Sequence, residues 1–136
     1  MLYQPENNLL QDKHILVTGA SDGIGREAAL TYARFGAKLI LLGRDKLRLQ
    51  SVADEILQVS GNAAMWHTFD FSHATPESSQ QLVAQIAQQV PRLDGVLHNA
   101  GILGEIVPMS EIDPQVWRQV MQVNVDATFW LTQALL

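Results

Sequence analysis

The chain has 136 residues, 47% of them apolar and 17% charged, which is enough apolar surface for a core and too little charge for a disordered protein. Nine Lys and Arg against 14 Asp and Glu give a formal charge of −5, an argument against nonspecific nucleic-acid binding, which needs a basic surface. There is no cysteine, so a disulfide scaffold, a thiolate zinc site and a Cys nucleophile are excluded.

The first eight residues are polar, without the cationic flank and apolar core of a signal peptide. No apolar run approaches the roughly 18 residues of a membrane span. The expectation is a soluble, cytoplasmic protein with neither membrane nor nucleic acid among its partners. His14, His67, His73 and His98 show no metal-ligand spacing, so no metal site is expected.

Residues 1–12 read as an N-terminal arm and 13–136 as part of a single nucleotide-binding domain. His14 to Thr18 is a compact apolar and β-branched run stopped by Gly19, hence a strand. Residues from about Ile24 to Phe35 read as a helix, with Gly36 at its C′ position. Lys38 to Leu42 is a second strand, ended by Gly43. Asp45 can cap the next helix, where Leu49, Val52, Ala53, Ile56 and Leu57 make one apolar stripe. After Gly61, Ala63 to Phe69 reads as a third strand. Thr75-Pro76 caps a helix presenting Leu82, Val83, Ile86, Ala87 and Val90. Leu93 to His98 is a fourth strand, and Asp113-Pro114 opens a long helix running to the end.

The order β-α-β-α-β-α-β-α implies a parallel sheet covered by helices. The glycine-rich turn after the first strand selects the Rossmann-type, doubly wound α/β fold, with strand order 3-2-1-4 through four strands and the helix that follows.

Residues 18–25 read Thr-Gly-Ala-Ser-Asp-Gly-Ile-Gly. Gly19 lets the chain turn out of the strand, Gly23 lets backbone approach a pyrophosphate, and Gly25 allows close packing of the helix. The N–H groups opening the helix, Ile24 among them, have no partner within it and face the ligand, with the helix dipole adding positive potential. Ser21 can donate a hydroxyl to phosphate or ribose. Asp22 suits a helix cap better than a phosphate contact, because like charges repel. A turn of this kind can also do nothing more than reverse the chain.

Where an NAD site places a carboxylate for the ribose 2′-hydroxyl, the second strand ends in Gly43-Arg44. Arg44 can pair with a 2′-phosphate through its planar fork. NADP(H) is therefore expected over NAD(H). The alternative is a solvated Arg44 with Asp45 turned back onto the ribose.

These residues resemble the short-chain dehydrogenase/reductase family, and within it a group of bacterial oxidoreductases. Thr18 to Gly25 is similar to its T-G-x3-G-I-G, Asn99-Ala100-Gly101 to its N-A-G, and Asn124 to its helix asparagine. The likeness covers about Asp12 to Leu136. It implies that Asp70 bonds the adenine amino group and Phe71 supplies a backbone contact. It implies that Asn99, Ala100 and Gly101 lie against the nicotinamide-side ribose and steady the central sheet. Asn124, as the catalytic member present, would hold a water at a helix kink within a proton relay. From the residues themselves, Asp70 can equally be a cap ahead of Ser72, and Asn124 a buried polar group bonded to backbone. His98 stands where the family usually has another Asn.

The resemblance also implies a tyrosine acid/base with a lysine four residues later. Tyr3 is followed at that spacing by Asn7 and Tyr32 by Gly36. The chain thus reads as the coenzyme-binding N-terminal half of an NADP-dependent oxidoreductase acting on a small carbonyl or alcohol, inactive as 136 residues. The alternative is a non-catalytic nucleotide-binding or association module that ends at Leu136. The final helix carries apolar residues on several sides, among them Trp117, Val125, Phe129 and Leu135. One face is expected to cover the sheet and another to meet a second copy in a homo-oligomer.

Overall fold

The structure, a computed structural model, describes residues 2–136. Four strands, β1 (His14–Thr18), β2 (Lys38–Gly43), β3 (Met65–Thr68) and β4 (Gly95–Leu97), form one sheet in the order β3-β2-β1-β4. Every pairing is parallel. With the alternating helices α1 (Gly23–Arg34), α2 (Lys46–Ser60) and α3 (Pro76–Ala87), this is the expected Rossmann-type α/β fold. The chain falls into two compact units.

One unit comprises the residues up to Thr68 together with Arg92–Asn99, and holds the whole sheet, α1 and α2. Parallel strands bury both faces, so their runs are continuously apolar rather than alternating. Val17, Leu39 and Leu41 point to the face that carries Ala29, Leu30 and Ala33 of α1 and Leu49, Val52 and Ile56 of α2, all nearly inaccessible. Leu16, Ile40 and Leu42, on the other face, are buried as completely. Arg26 of α1 pairs with Glu55 of α2. Residues 9–12 lie along the α1–β2 turn, where Leu10 N–H donates to Phe35 O (2.9 Å) and Asp12 N–H to Gly36 O (3.1 Å). Gly36, at φ +95°, allows this close approach: a Cβ there would sit 2.7 Å from Gln11 Oε1.

The strand boundaries are tighter than the sequence suggests. β3 covers only Met65–Thr68 of the expected Ala63 to Phe69, because Asp70 turns the chain by accepting the Ser72 N–H. β4 covers only Gly95–Leu97 of Leu93 to His98. Side chains replace ladder bonds at both its ends: Asp94 Oδ2 accepts the His14 N–H (3.0 Å) and Thr18 Oγ1 accepts the Asn99 N–H (3.0 Å). On α2, Leu57 is exposed rather than part of the buried stripe.

The other unit comprises Phe69–Pro91 and Ala100–Leu136. A short 3-10 turn (Phe71–His73) leads into α3, opened by a reciprocal capping box between Thr75 and Ser78. Leu82, Ile86 and Val90 are buried as expected; Ala87 is exposed. The expected single terminal helix is instead α4 (Pro114–Met121), a π-helical turn (Gln122–Asp126) and α5 (Ala127–Leu135). A π turn adds one residue to an otherwise continuous helix, so the apolar spacing on either side carries little trace of it. α5 packs on α3 through a side that buries Ala127 and Leu131.

Candidate coenzyme site

The glycine turn closes the first unit's site from β1. Gly19 (φ +63°) and Gly23 (φ +53°) adopt the left-handed backbone that favours glycine. Ala20 N–H donates to Leu42 O (3.1 Å), tying the turn to β2. A Cβ on Gly25 would lie 2.3 Å from Gly19 O and 2.4 Å from Asn99 Nδ2, so only glycine fits. A Cβ on Gly23 would meet nothing within 4 Å, which leaves open space beside the turn. Asp22 Oδ1 accepts the Gly23 N–H (2.8 Å), the capping role its charge suggests. Ile24 is 80% exposed, and its N–H and that of Gly25 fall in the first helical turn, where no backbone acceptor lies behind them. An open cradle of donors with glycine on both sides fits a diphosphate.

Asn99 fastens this turn from β4: its Nδ2 donates to Gly19 O (3.2 Å) and its N–H to Thr18 Oγ1 (3.0 Å). Its side chain is a strut for the glycine turn, a more specific form of the steadying role the resemblance implies. At the end of β2, a Cβ on Gly43 would lie 3.4 Å from Ser21 Oγ, so a side chain there would meet the glycine turn. Arg44 follows, exposed and without an ion pair among the described residues. Asp45 is committed to capping, accepting the Arg48 N–H (3.1 Å). Its other oxygen, Oδ2, stands 3.5 Å from Arg48 Nε.

The second unit holds the remaining candidates. Asp70 Oδ1 accepts from Ser72 N–H (2.9 Å) and Ser72 Oγ (2.6 Å), and Oδ2 lies 3.0 Å from His73 Nδ1. The Ser72 hydroxyl, more than His73, holds the Asp70 carboxyl below the usual aspartate value. Asp70 is thus a cap, the alternative raised by its neighbour Ser72. Phe71 is buried, and its ring meets Phe69 edge-on.

Asn124 sits inside the π turn. It is exposed, not buried. Its Oδ1 accepts Ile102 N–H (2.9 Å) and its Nδ2 donates to Ile102 O (2.9 Å). This clasp holds the loop that begins Ala100-Gly101, where a Cβ on Gly101 would stand 3.4 Å from Asn124 Oδ1. One amide hydrogen and one lone pair of Asn124 remain for another partner. Gln122, two residues earlier, donates to Phe71 O (3.2 Å) and Ala74 O (2.9 Å). Sequence reasoning passed over Gln122, since no motif marks it.

Among the described residues no group of acidic, Cys or His side chains could hold a metal ion. No helix among them is long and apolar enough to cross a membrane.

The family profile described as short chain dehydrogenase matches residues 13–136. The oxidoreductase YciK of Escherichia coli (strain K12) is 61% identical over 136 residues, covering 100% of this chain and 54% of that protein. A solved structure of YciK from E. coli superposes with a TM-score of 0.97 at 61% identity, over 100% of this chain and 56% of that one. A short chain dehydrogenase of E. coli CFT073, solved in complex with NADPH, has a TM-score of 0.94 at 61% identity, over 96% of this chain and 55% of that one. The chain spans about half the length of the curated relatives it matches.

Proposed function

The chain belongs to the short-chain dehydrogenase family, and on that premise we propose that it forms the coenzyme-binding part of an NADP(H)-dependent oxidoreductase that acts on a small carbonyl or alcohol. The observation that carries this reading is the open glycine cradle with Arg44, not a carboxylate, directly after β2. The NADPH complex of a 61% identical relative supports it.

Gly19, Gly23 and Gly25 shape the cradle, and the Ile24 and Gly25 N–H groups and the Ser21 hydroxyl donate to the diphosphate. Asp22 keeps the helix start in register by its cap. Arg44 pairs with the 2′-phosphate. Asp70, fixed by Ser72, offers Oδ2 to the adenine amino group beside the Phe71 backbone. Asn99, Ala100 and Gly101 steady the nicotinamide-side ribose, and Asn124 uses its spare hydrogen and lone pair to hold a water in a proton relay. When bound, the nicotinamide supplies or accepts hydride. Leu103, Ile106, Val107 and Met109 are all exposed and favour an apolar portion in the substrate. Trp117, Val125 and Phe129, exposed on the terminal helices, suit contact with a second copy.

The test is turnover by the intact polypeptide: NADPH consumption with a panel of aldehydes and ketones. Oxidation of NADPH by at least one of them is expected, and a Tyr-x-x-x-Lys pair encoded after Leu136 would supply the proton donor. No turnover with any, and no such pair, would favour the non-catalytic module instead.

A further inference from the structure

We propose that Arg48 determines coenzyme specificity, as a counter-charge that cancels two carboxylates beside the 2′-phosphate and offers that group a second guanidinium. The inference rests on the coenzyme reading above and deepens it.

Asp22 and Asp45 lie on the two loops that frame the Arg44 side of the site, and the Ala20 N–H, donating to Leu42 O (3.1 Å), ties the first loop to the strand that leads into the second. Each carboxylate uses one oxygen to cap a helix, Asp22 on the Gly23 N–H and Asp45 on the Arg48 N–H. Each turns its other oxygen to the Arg48 guanidinium: Nη1 stands 3.3 Å from Asp22 Oδ2 and Nε 3.5 Å from Asp45 Oδ2. One arginine thus bridges both loops.

A dianionic phosphate drawn in by Arg44 alone would approach two uncompensated carboxylates. With Arg48 present, the charges of Asp22, Asp45, Arg44 and Arg48 cancel before the phosphate arrives. Two of the five guanidinium N–H groups face the carboxylates, and the others remain for phosphate oxygens. The Arg48 side chain is 62% exposed. Ion pairs at such exposure are weak, so the guanidinium turns toward a phosphate at little cost. NADH, with a 2′-hydroxyl in place of the phosphate, makes no use of this cation.

The experiment measures dissociation constants of NADPH and NADH for the intact polypeptide, alongside thermal melts. In Arg48→Ala, NADPH is expected to weaken by about tenfold, the order of one charge-assisted hydrogen bond, with NADH within about twofold. Adding Asp22→Asn, which retains the cap, is expected to restore part of the NADPH affinity and none for NADH. A wild type that prefers NADPH, with Arg48→Ala weakening both coenzymes equally or neither, would overturn the role of Arg48 alone. A wild type that binds neither coenzyme would overturn the coenzyme reading itself and this inference with it.

Discussion

At the scale of single residues, the glycine turn leaves no room at some positions. Gly25 is the tightest. A methyl there would press on Gly19 O and Asn99 Nδ2 at once, and the carbonyl is backbone, so it cannot swing away. Gly25→Ala is expected to destabilise the fold by about 1–3 kcal/mol through overpacking, read as a lower midpoint in urea. In the proposed site, Arg44 pairs with a 2′-phosphate that only NADPH carries. Arg44→Ala is expected to weaken NADPH by roughly 10- to 100-fold, from the loss of charge-assisted bonds of about 1.5–3 kcal/mol, and to leave NADH within about twofold. Equal losses would show that Arg44 does not read the phosphate. Asp70 is held ionised chiefly by the Ser72 hydroxyl. Its folded pKa lies below 3.8, so this contribution to stability is present above that value and fades as pH falls through the folded pKa. Carboxyl NMR should show Asp70 titrating later than an ordinary aspartate on acidification, and Ser72→Ala should move the midpoint back up.

At the scale of elements, the sequence carried some features openly and hid others. The caps at Asp22, Asp45, Thr75 and Asp113, and the terminating glycines 36 and 61, were legible because each is a local exchange between one side chain or backbone angle and the nearest turn. The π turn was not, because it depends on partners distant in sequence. Asn124 reaches Ile102 and Gln122 reaches Phe71 and Ala74, and the β-branched Val123 and Val125 beside them weaken the ordinary helix only slightly. The strand ends were hidden for the same reason, since Thr18 and Asp94 substitute side chains for ladder bonds. Within α3, Ser79 is fully buried and its hydroxyl finds no partner among the described residues. A buried hydroxyl without a partner costs about 1–3 kcal/mol. Ser79→Ala is therefore expected to raise the melting temperature by a few degrees; a lower one would mean that the hydroxyl is satisfied.

For the molecule as a whole, the parallel sheet followed from four apolar runs alternating with amphipathic helices, and its order from the glycine turn after the first of them. What that pattern could not show was how the charged loops at the ends of β1 and β2 are tied. No motif marks Arg48, and only the fold brings Asp22 to it across 26 residues. The sheet also carries an acid-sensitive group. His67 on β3 is half-buried and desolvation lowers its pKa below 6.5. A base depressed in the folded state contributes stability above its unfolded pKa that is lost as pH falls through the folded one. Denaturant midpoints should therefore drop below about pH 6.5, and His67→Gln should flatten that part of the slope.

The most direct test of the coenzyme cradle is an NADPH titration of the intact polypeptide followed through its backbone amide resonances. Large shifts at Ser21, Ile24 and Gly25, accompanied by Arg44, are the expected result. Saturable binding that leaves those amides unmoved, or no binding at all, would contradict it.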